Sequence, residues 1–303
     1  MGGRRLDELD AVLSELGSRL GPPAAAPEPL EGGITNRNYR VAFADQDAVI
    51  RLAGKDTSLL GIDRRAERLA NQAASELGIA PRVLAGGEDW LLTEYVAGTP
   101  CDAGTVRTVL EPIGRALGAF HRAEVRLPIR FWVPELLDTY AHVVGERGGR
   151  LPAAYGQARA VAARIAELVP LTDPVPCHND LLPANVLRVG SADTVMLVDW
   201  EYAGMGHGLF DLGNLAVNAQ LAEAEEGRLL TAYLGRPPSD AELARLRLMR
   251  VMSDAREAAW GVVQGVISEL DFDFAAYAAR HFQRLDAAAR DPRLQEWLDA
   301  ATA

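Results

Sequence analysis

Hydrophobic residues recur with helical spacing at the start of the chain. Leucine and valine occupy every third or fourth position over residues 6–20, and Gly21 follows the last of them. That spacing predicts an amphipathic helix over residues 5–20 that a glycine ends. The proline-rich stretch 22–29 cannot continue the helix and is typical of a short linker.

The pattern then changes to short alternating and apolar runs. Segments 39–43, 48–52 and 90–96 are typical of β-strands, and the residues of 63–77, followed by a glycine, predict a helix before the last of these strands. The order strand, strand, helix, strand predicts a small, mainly antiparallel lobe over residues 1–97.

The remainder of the chain is patterned for helices. Apolar stripes run through 110–120 and 161–168, and a serine–glutamate capping box opens a long helix over 239–267. We therefore expect an α+β protein with two lobes, in which residues 98–303 form the larger helical lobe.

Charge and composition narrow the class of protein. The 303 residues are enough for two lobes, and a net charge of −11 argues against nucleic acid as a main partner while suiting a small cationic substrate. The two cysteines, Cys101 and Cys177, form no CxxC pair, and no apolar run reaches the roughly 20 residues of a membrane span. We expect a soluble, cytoplasmic protein; its oligomeric state is not predicted.

The segment between Cys177 and Tyr202 contains an ordered set of polar groups. Asp180 is the aspartate of an HxD motif that starts at His178, and Asn185 comes five residues later. Asp199 comes directly after the apolar run 195–198. A carboxylate that orients a hydroxyl, together with two oxygen ligands for magnesium, is what phosphoryl transfer from ATP requires. The alternatives are a polar turn before a hairpin, or a metal hydrolase, for which a second histidine at ligand spacing is missing.

The sequences HNDLLPANVL and VDWEYA resemble the catalytic loop and the metal-binding motif of the choline/ethanolamine kinase family. That family lies within the aminoglycoside phosphotransferase-like, protein-kinase-like superfamily, and FDLGN at 210–214 fits the same branch. The resemblance implies a bilobal protein-kinase-like fold that uses ATP and Mg²⁺. It also implies that Asp180 is the catalytic residue and that Asn185 and Asp199 hold the metal.

The stretch EGGITNRNYRV, residues 31–41, places two glycines before a strand. Backbone amides in such a turn can approach phosphates closely, although a plain hairpin turn is an equally good interpretation. Its similarity to the GGxTNxxY loop of bacterial choline kinase-like proteins implies that Gly33, Thr35, Asn36 and Asn38 bind the nucleotide.

Arg51 lies between two apolar residues of a predicted strand, where a buried arginine needs an anion. The resemblance implies that Arg51 contacts the phosphates and that Glu67, on the following helix, is its partner. The alternative is a surface pair of little energetic value. Glu94 and Val96 lie at the predicted hinge, where the main chain would contact adenine.

On the acceptor side, Tyr202 and Trp260 match aromatic residues that line the choline pocket of related kinases, and Glu201 and Asp180 lie beside them in the motifs. Eukaryotic choline kinases tend to have a second tryptophan where this chain has Glu257. A carboxylate there favours a primary ammonium, because a trimethylammonium group has no N–H to donate. The alternative has Trp260 filling the core and Glu257 at the surface.

We therefore predict an ATP-dependent kinase that phosphorylates the hydroxyl of a small amino-alcohol, choline or ethanolamine. One rival is a kinase of the same fold that acts on an aminoglycoside or another hydroxylated metabolite. Another is a non-catalytic, ligand-binding relative, which would be free to lose one of the three polar groups. The sequence also predicts that Asp211 accepts backbone amides near the catalytic loop and that His121 is structural; it leaves the role of His207 and the choice between ATP and GTP open.

Overall fold

The computed structural model describes residues 2–30, 36–190 and 194–302, with side chains from residue 8 onward. The helices in this part of the chain are α1 Gly2–Leu20, α2 Arg64–Glu76, α3 Leu110–His121, α4 Val133–Glu146, α5 Ala154–Leu168, α6 Gly208–Asn218, α7 Glu223–Leu234, α8 Asp240–Ile267, α9 Phe274–Arg290 and α10 Arg293–Ala301. The strands are β1 Glu28–Leu30, β2 Arg37–Ala42, β3 Asp47–Leu52, β4 Val83–Gly86, β5 Trp90–Glu94, β6 Thr99–Pro100, β7 Val175–Cys177, β8 Val186–Arg188, β9 Val195–Leu197 and β10 Gly204–Gly206.

The N-terminal lobe is a five-stranded antiparallel sheet in the order β1-β2-β3-β5-β4. Helix α1 covers one face, where Leu9 and Leu16 pack with Ile50 of β3. Side chains alternate between the two faces of a strand. Arg51, the next residue of β3, therefore points to the opposite face, toward α2.

Two predicted boundaries in this lobe were wrong. The stretch 22–29, interpreted as a linker, runs into β1, which pairs with β2 from Glu28 to Leu30. A proline is tolerated there because β1 is an edge strand. The strand predicted over 90–96 ends at Glu94, the residue of the last ladder pair with β3.

The helical lobe is organised around α8, which packs against α4, α6, α9 and α10. The predicted capping box is present: Ser239 Oγ accepts from the Glu242 amide at 3.2 Å, and the Glu242 carboxylate accepts from the Ser239 amide at 2.8 Å. The stripe predicted on α5 is only partly correct, since Leu168 is 38% exposed at the end of its helix. None of the helices described is long and apolar enough to cross a membrane.

Two small sheets bring the catalytic segments together. β7 pairs with β10, and β8 lies between β6 and β9. The loop 178–185 connects β7 to β8, and the turn 199–202 connects β9 to β10. Because each segment starts in one of these sheets and ends in the other, both are held at the same place.

Candidate active site

The catalytic loop is anchored by a buried carboxylate of α6. The Asp211 carboxylate accepts hydrogen bonds from the backbone amides of His178 and Asn179 at 2.8 and 2.7 Å. It also forms a hydrogen bond with the ring nitrogen Nε2 of His121 at 3.0 Å. Burial raises the pKa of Asp211, but its hydrogen bond with His121 and the nearby histidines outweigh burial and lower the pKa below the usual value. The predicted structural roles of Asp211 and His121 are confirmed.

The ring of His178 joins the loop to the strand that leads into Asp199. Its Nε2 contacts the Val198 carbonyl at 2.9 Å, and its Nδ1 lies 3.3 Å from the Asp180 amide. These partners assign the proton to Nε2. Burial lowers the pKa of His178, which keeps the ring neutral and suits this donor and acceptor pattern.

Asn185 and Asp199 present oxygen atoms suited to a hard cation. The Asn185 amide nitrogen donates to the Asp180 carbonyl at 2.8 Å, so its amide oxygen is available for a ligand. Asp199 adopts a left-handed backbone conformation, φ 64° and ψ 61°, which is costly for a residue other than glycine. Its Oδ1 is buried and has no hydrogen-bond partner within the described residues. The backbone amide of Val198 donates to the Asn185 carbonyl at 3.0 Å, so the two side chains come from adjoining segments. An uncompensated buried carboxylate oxygen and an amide oxygen are ligands that fit magnesium.

The electrostatic environment of Asp199 also favours a bound cation. Burial raises the pKa of its carboxyl well above the usual value, and the charges of Glu201 and Asp180 raise it further. A bound cation would relieve both effects, because its own charge dominates such a site.

An ion-paired group, here called the interlobe cluster, joins the two lobes and consists of Asn36, Arg51, Arg64, Glu67 and Glu201. Glu67 receives two arginines, Arg51 at 2.6 Å and Arg64 at 3.0 Å. Asn36 accepts from both arginines at 3.2 Å and donates to Glu201 at 2.8 Å. The contact predicted between Arg51 and Glu67 is therefore present; their nucleotide role stays a prediction.

The sequence did not predict that Arg64 and Glu201 would belong to the interlobe cluster. Arg64 was missed, although its spacing of three residues from Glu67 on a helix brings the two side chains together. Glu201, predicted on the acceptor side, has its hydrogen bonds to Asn36 and Arg64. Burial raises the pKa of Glu201, an effect that Arg64 opposes.

The other residues predicted to bind nucleotide lie along the same lobe. Asn38 is in β2, paired with Arg51 of β3. The Glu94 side chain accepts from the Arg82 amide at 3.0 Å, and Val96 lies in the irregular segment after β5. The predictions for Gly33 and Thr35 fall outside the described residues.

A second group, the acceptor cluster, consists of Asp180, Tyr202, Arg256, Glu257 and Trp260. Trp260 Nε1 donates to the Tyr202 hydroxyl at 2.7 Å. The Arg256 guanidinium lies 4.3 Å from the centre of the Tyr202 ring. It also contacts the Asp180 carboxylate at 3.2 Å and the Glu257 carboxylate at 2.9 Å. The structure thus brings four of the five predicted acceptor residues together.

Glu257 is buried rather than at the surface. Besides Arg256, it accepts the Tyr277 hydroxyl at 2.7 Å and the Asn214 amide at 3.2 Å, and it is 2% exposed. Burial raises its pKa, but Arg256 and His281 outweigh burial and lower it. Glu257 and Arg256 therefore form a charged pair.

The sequence did not predict Arg256 in the site, because the spacing on α8 indicated the helix face that carries Glu257 and Trp260. The available indication was the arginine itself, since a guanidinium that a core helix buries requires anionic partners. Burial lowers the pKa of Arg256, but Glu257 and Asp180 outweigh burial and raise it well above the usual value. The site therefore contains a permanent cation.

Asp180 is the carboxylate that the catalytic loop contributes to the acceptor cluster. Burial raises its pKa to about 7, and the charge of Arg256 opposes that rise. A carboxylate with a pKa near neutrality can both accept a proton from a hydroxyl and release it again. The arrangement is suited to orienting and deprotonating an alcohol.

The chain is similar to known kinases along most of its length. It is 23% identical to probable choline kinase 1 of Arabidopsis thaliana, with 92% of each chain covered, and 26% identical to human ethanolamine kinase 2, with 90% of this chain and 78% of that protein covered. The crystal structure of a choline/ethanolamine kinase family protein from Mesorhizobium loti superposes with a TM-score of 0.83 at 28% identity, covering 98% of this chain and 99% of that one.

These similarities confirm the predicted bilobal kinase-like fold and the resemblance on which it depended. Residues 27–249 match the phosphotransferase enzyme family, a range that includes both catalytic segments. The chain belongs to the phosphotransferase enzyme family, and it is a phosphotransferase with an alcohol as acceptor.

Proposed function

We propose that this chain transfers the γ-phosphoryl group of ATP to the hydroxyl of a small amino-alcohol. The observation that supports this most is the position of the Asp180 carboxylate. It contacts Arg256, which lies on the Tyr202 ring, and its loop also supplies Asn185. The Asp199 oxygen that has no partner within the described residues follows the adjoining strand. The names of the relatives, choline and ethanolamine kinases, support the same class of acceptor.

In this mechanism Asp180 accepts a hydrogen bond from the attacking hydroxyl and takes its proton as the new bond to phosphorus forms. Asn185 and Asp199 would hold magnesium, which neutralises phosphate charge when bound. Arg51, held by Glu67, would contact the phosphates, and its hydrogen bond to Asn36 keeps the guanidinium in one orientation. The role of the protein is therefore mainly positioning and charge stabilisation.

Among amino-alcohols we favour a primary amine, such as ethanolamine, over choline. A trimethylammonium group is best held by open aromatic faces, and the face of Tyr202 is covered by Arg256. A primary ammonium does not need an aromatic face, because it can donate hydrogen bonds to carboxylate or hydroxyl oxygens of the site. Ethanolamine therefore ranks ahead of choline.

An acceptor screen tests this function. ATP consumption should be measured with magnesium and ethanolamine, choline, sugars or aminoglycosides, with Asp180→Asn as the inactive control. We expect turnover with amino-alcohols, greater for ethanolamine than for choline. Turnover confined to aminoglycosides or sugars would overturn the proposal, and greater turnover with choline would overturn the ranking.

A further inference from the structure

Arg256 has an unpaired edge although it is almost completely buried. The residue is 1% exposed, and its Nη1 donates to Asp180 at 3.2 Å and to Glu257 at 2.9 Å. Its Nε and Nη2 are buried and have no hydrogen-bond partner of good geometry within the described residues. Three of the five guanidinium N–H groups thus lack an aligned acceptor there, and the Tyr140 hydroxyl, on whose pKa Arg256 acts, lies near the guanidinium. Such donors are expensive to leave unsatisfied.

This pattern differs from that of the other buried arginines in the site. Among the residues that the structure describes, Arg51 and Arg64 lack a partner only at Nε. In Arg256 the two unpaired nitrogens form one edge of the guanidinium plane. Such an edge can bind both oxygens of a carboxylate through two parallel hydrogen bonds.

Arg256 is also held in place. Its partner Glu257 is fixed by the Tyr277 hydroxyl at 2.7 Å and by Asn214, whose amide also donates to Ser253 at 2.9 Å. Moving the guanidinium away would leave Glu257 buried without its cation, which is strongly unfavourable. Arg256 is therefore a permanent feature of the pocket rather than a group that leaves when the acceptor binds.

The position of Arg256 determines which chemical group can bind beside it. The guanidinium covers the Tyr202 ring and touches the carboxylate that orients the acceptor hydroxyl. A substrate cation on the same ring would lie within a few ångströms of a like charge in a poorly solvated site, where repulsion is strong. The substrate group next to Arg256 should instead be an anion.

We propose that the acceptor is an amino-alcohol that also carries a carboxylate, that is, a hydroxy amino acid. The carboxylate pairs with the Nε–Nη2 edge of Arg256 while the hydroxyl binds Asp180. This inference rests on the proposed function and narrows its acceptor. In the reaction the hydroxyl oxygen forms a bond to the γ-phosphorus, and the bond from that phosphorus to the β,γ-bridging oxygen breaks. Asp180 takes the hydroxyl proton, and ADP leaves.

Two matched pairs of acceptors test the inference. L-serine is ethanolamine with a carboxylate on the amine-bearing carbon, and L-homoserine is related to 3-amino-1-propanol in the same way. We measure kcat/KM for all four with ATP and magnesium. We expect the carboxylate member of at least one pair to be preferred by about tenfold or more, because a bidentate arginine–carboxylate pair discriminates strongly.

Variants show whether Arg256 causes the preference. Arg256→Lys keeps the charge but loses the planar guanidinium. The kcat/KM for the acceptor with a carboxylate should therefore fall about tenfold or more, while the kcat/KM for the carboxylate-free acceptor of the same pair should change little. The double variant Arg256→Met/Glu257→Gln removes both charges together and serves if Arg256→Met does not fold. Arg250→Met, on the same helix and paired with Glu226, is the control and should leave the preference unchanged.

Each outcome decides the matter. Preference for the carboxylate-free member in both pairs overturns the inference and leaves the proposed function intact. An equal fall of kcat for both members in Arg256→Lys means that Arg256 acts on the transferred phosphoryl group, which also overturns it. No turnover of any of the four by the parent protein overturns the proposed function as well.

Discussion

The interlobe cluster and the acceptor cluster are both built on a buried arginine–glutamate pair, yet they are paired differently. In the interlobe cluster, Glu67 takes two arginines, and Asn36 accepts from both of them. In the acceptor cluster, Arg256 contacts two carboxylates, and one edge of its guanidinium has no acceptor in the described part of the chain. A nearly saturated cluster holds the lobes and positions Arg51, whereas a partly saturated one has donors left for a ligand.

The largest expected effect is at Asp180, the catalytic-loop member of the acceptor cluster. Asp180→Asn should lower kcat by about 10²–10⁴-fold, because the amide cannot take the hydroxyl proton. ATP binding, measured by calorimetric titration, should stay close to that of the parent protein. Activity within twofold of the parent would exclude Asp180 as the base.

Two matched substitutions test whether the clusters serve different substrates. Glu67→Gln should raise KM for ATP by about 10–100-fold, because it leaves Arg51 without its buried anion. Glu257→Gln should leave KM for ATP nearly unchanged and should weaken acceptor binding by a similar factor, because Arg256 loses its main partner. Steady-state kinetics with each substrate varied in turn measure both effects. If both variants change the same KM, the division between the clusters is wrong.

Trp260→Phe provides a smaller test of the acceptor cluster alone. It removes the 2.7 Å hydrogen bond to the Tyr202 hydroxyl while it keeps an aromatic ring. A single hydrogen bond contributes about 0.5–1.5 kcal/mol, so kcat/KM for the acceptor should fall roughly 2–10-fold. The KM for ATP is the internal control, and an equal change in it would show a general loss of structure.

The smallest effect concerns the helix that supports the acceptor side. His207 caps the start of α6, where its Nδ1 accepts from the Leu209 amide at 3.3 Å. The same helix carries Asp211, which holds the catalytic loop, and Asn214, which holds Glu257. Burial, followed by the charge of Arg245, lowers the pKa of His207 to about 4.

A histidine with a lowered pKa in the folded state destabilises the fold when it must be protonated. The unfolded chain binds that proton near pH 6.5, so stability is lost as the pH falls below this value toward 4. Between pH 7 and pH 5 the free energy of unfolding should fall about 1–2 kcal/mol more in the parent than in His207→Asn. Urea unfolding at both pH values measures this, and identical pH dependence of the two proteins would contradict it.

The sequence predicted best where a feature depends on neighbours along the chain. Asp211 was expected to accept backbone amides, and the capping box at Ser239 and the helix after it follow from local spacing. The pairing of Arg51 with Glu67 was also expected, from the family resemblance. In contrast, β1 was missed because a short, proline-containing strand forms only when β2 lies beside it.

The acceptor side shows the limit of such reasoning. Tyr202, Glu257 and Trp260 were identified as a group, but the cation between them was not. The hydrogen bonds of Glu201 to Asn36 and Arg64 were not anticipated either. Arg256 and Asp180 are 76 residues apart in the sequence, and the periodicity of hydrophobic positions does not predict a contact over such a separation.

By itself the sequence determined the order of the elements, the two-lobed class and the residue types that carry out phosphoryl transfer, because these depend on hydrophobic spacing and on motifs within one short segment. Only the tertiary structure decided which charges meet. The packing of α8 against α6 and the catalytic loop buries Arg256 beside Asp180 and Glu257. Burial then makes every unpaired donor and acceptor costly, so it is the three-dimensional pairing of charges that sets what the acceptor pocket can bind.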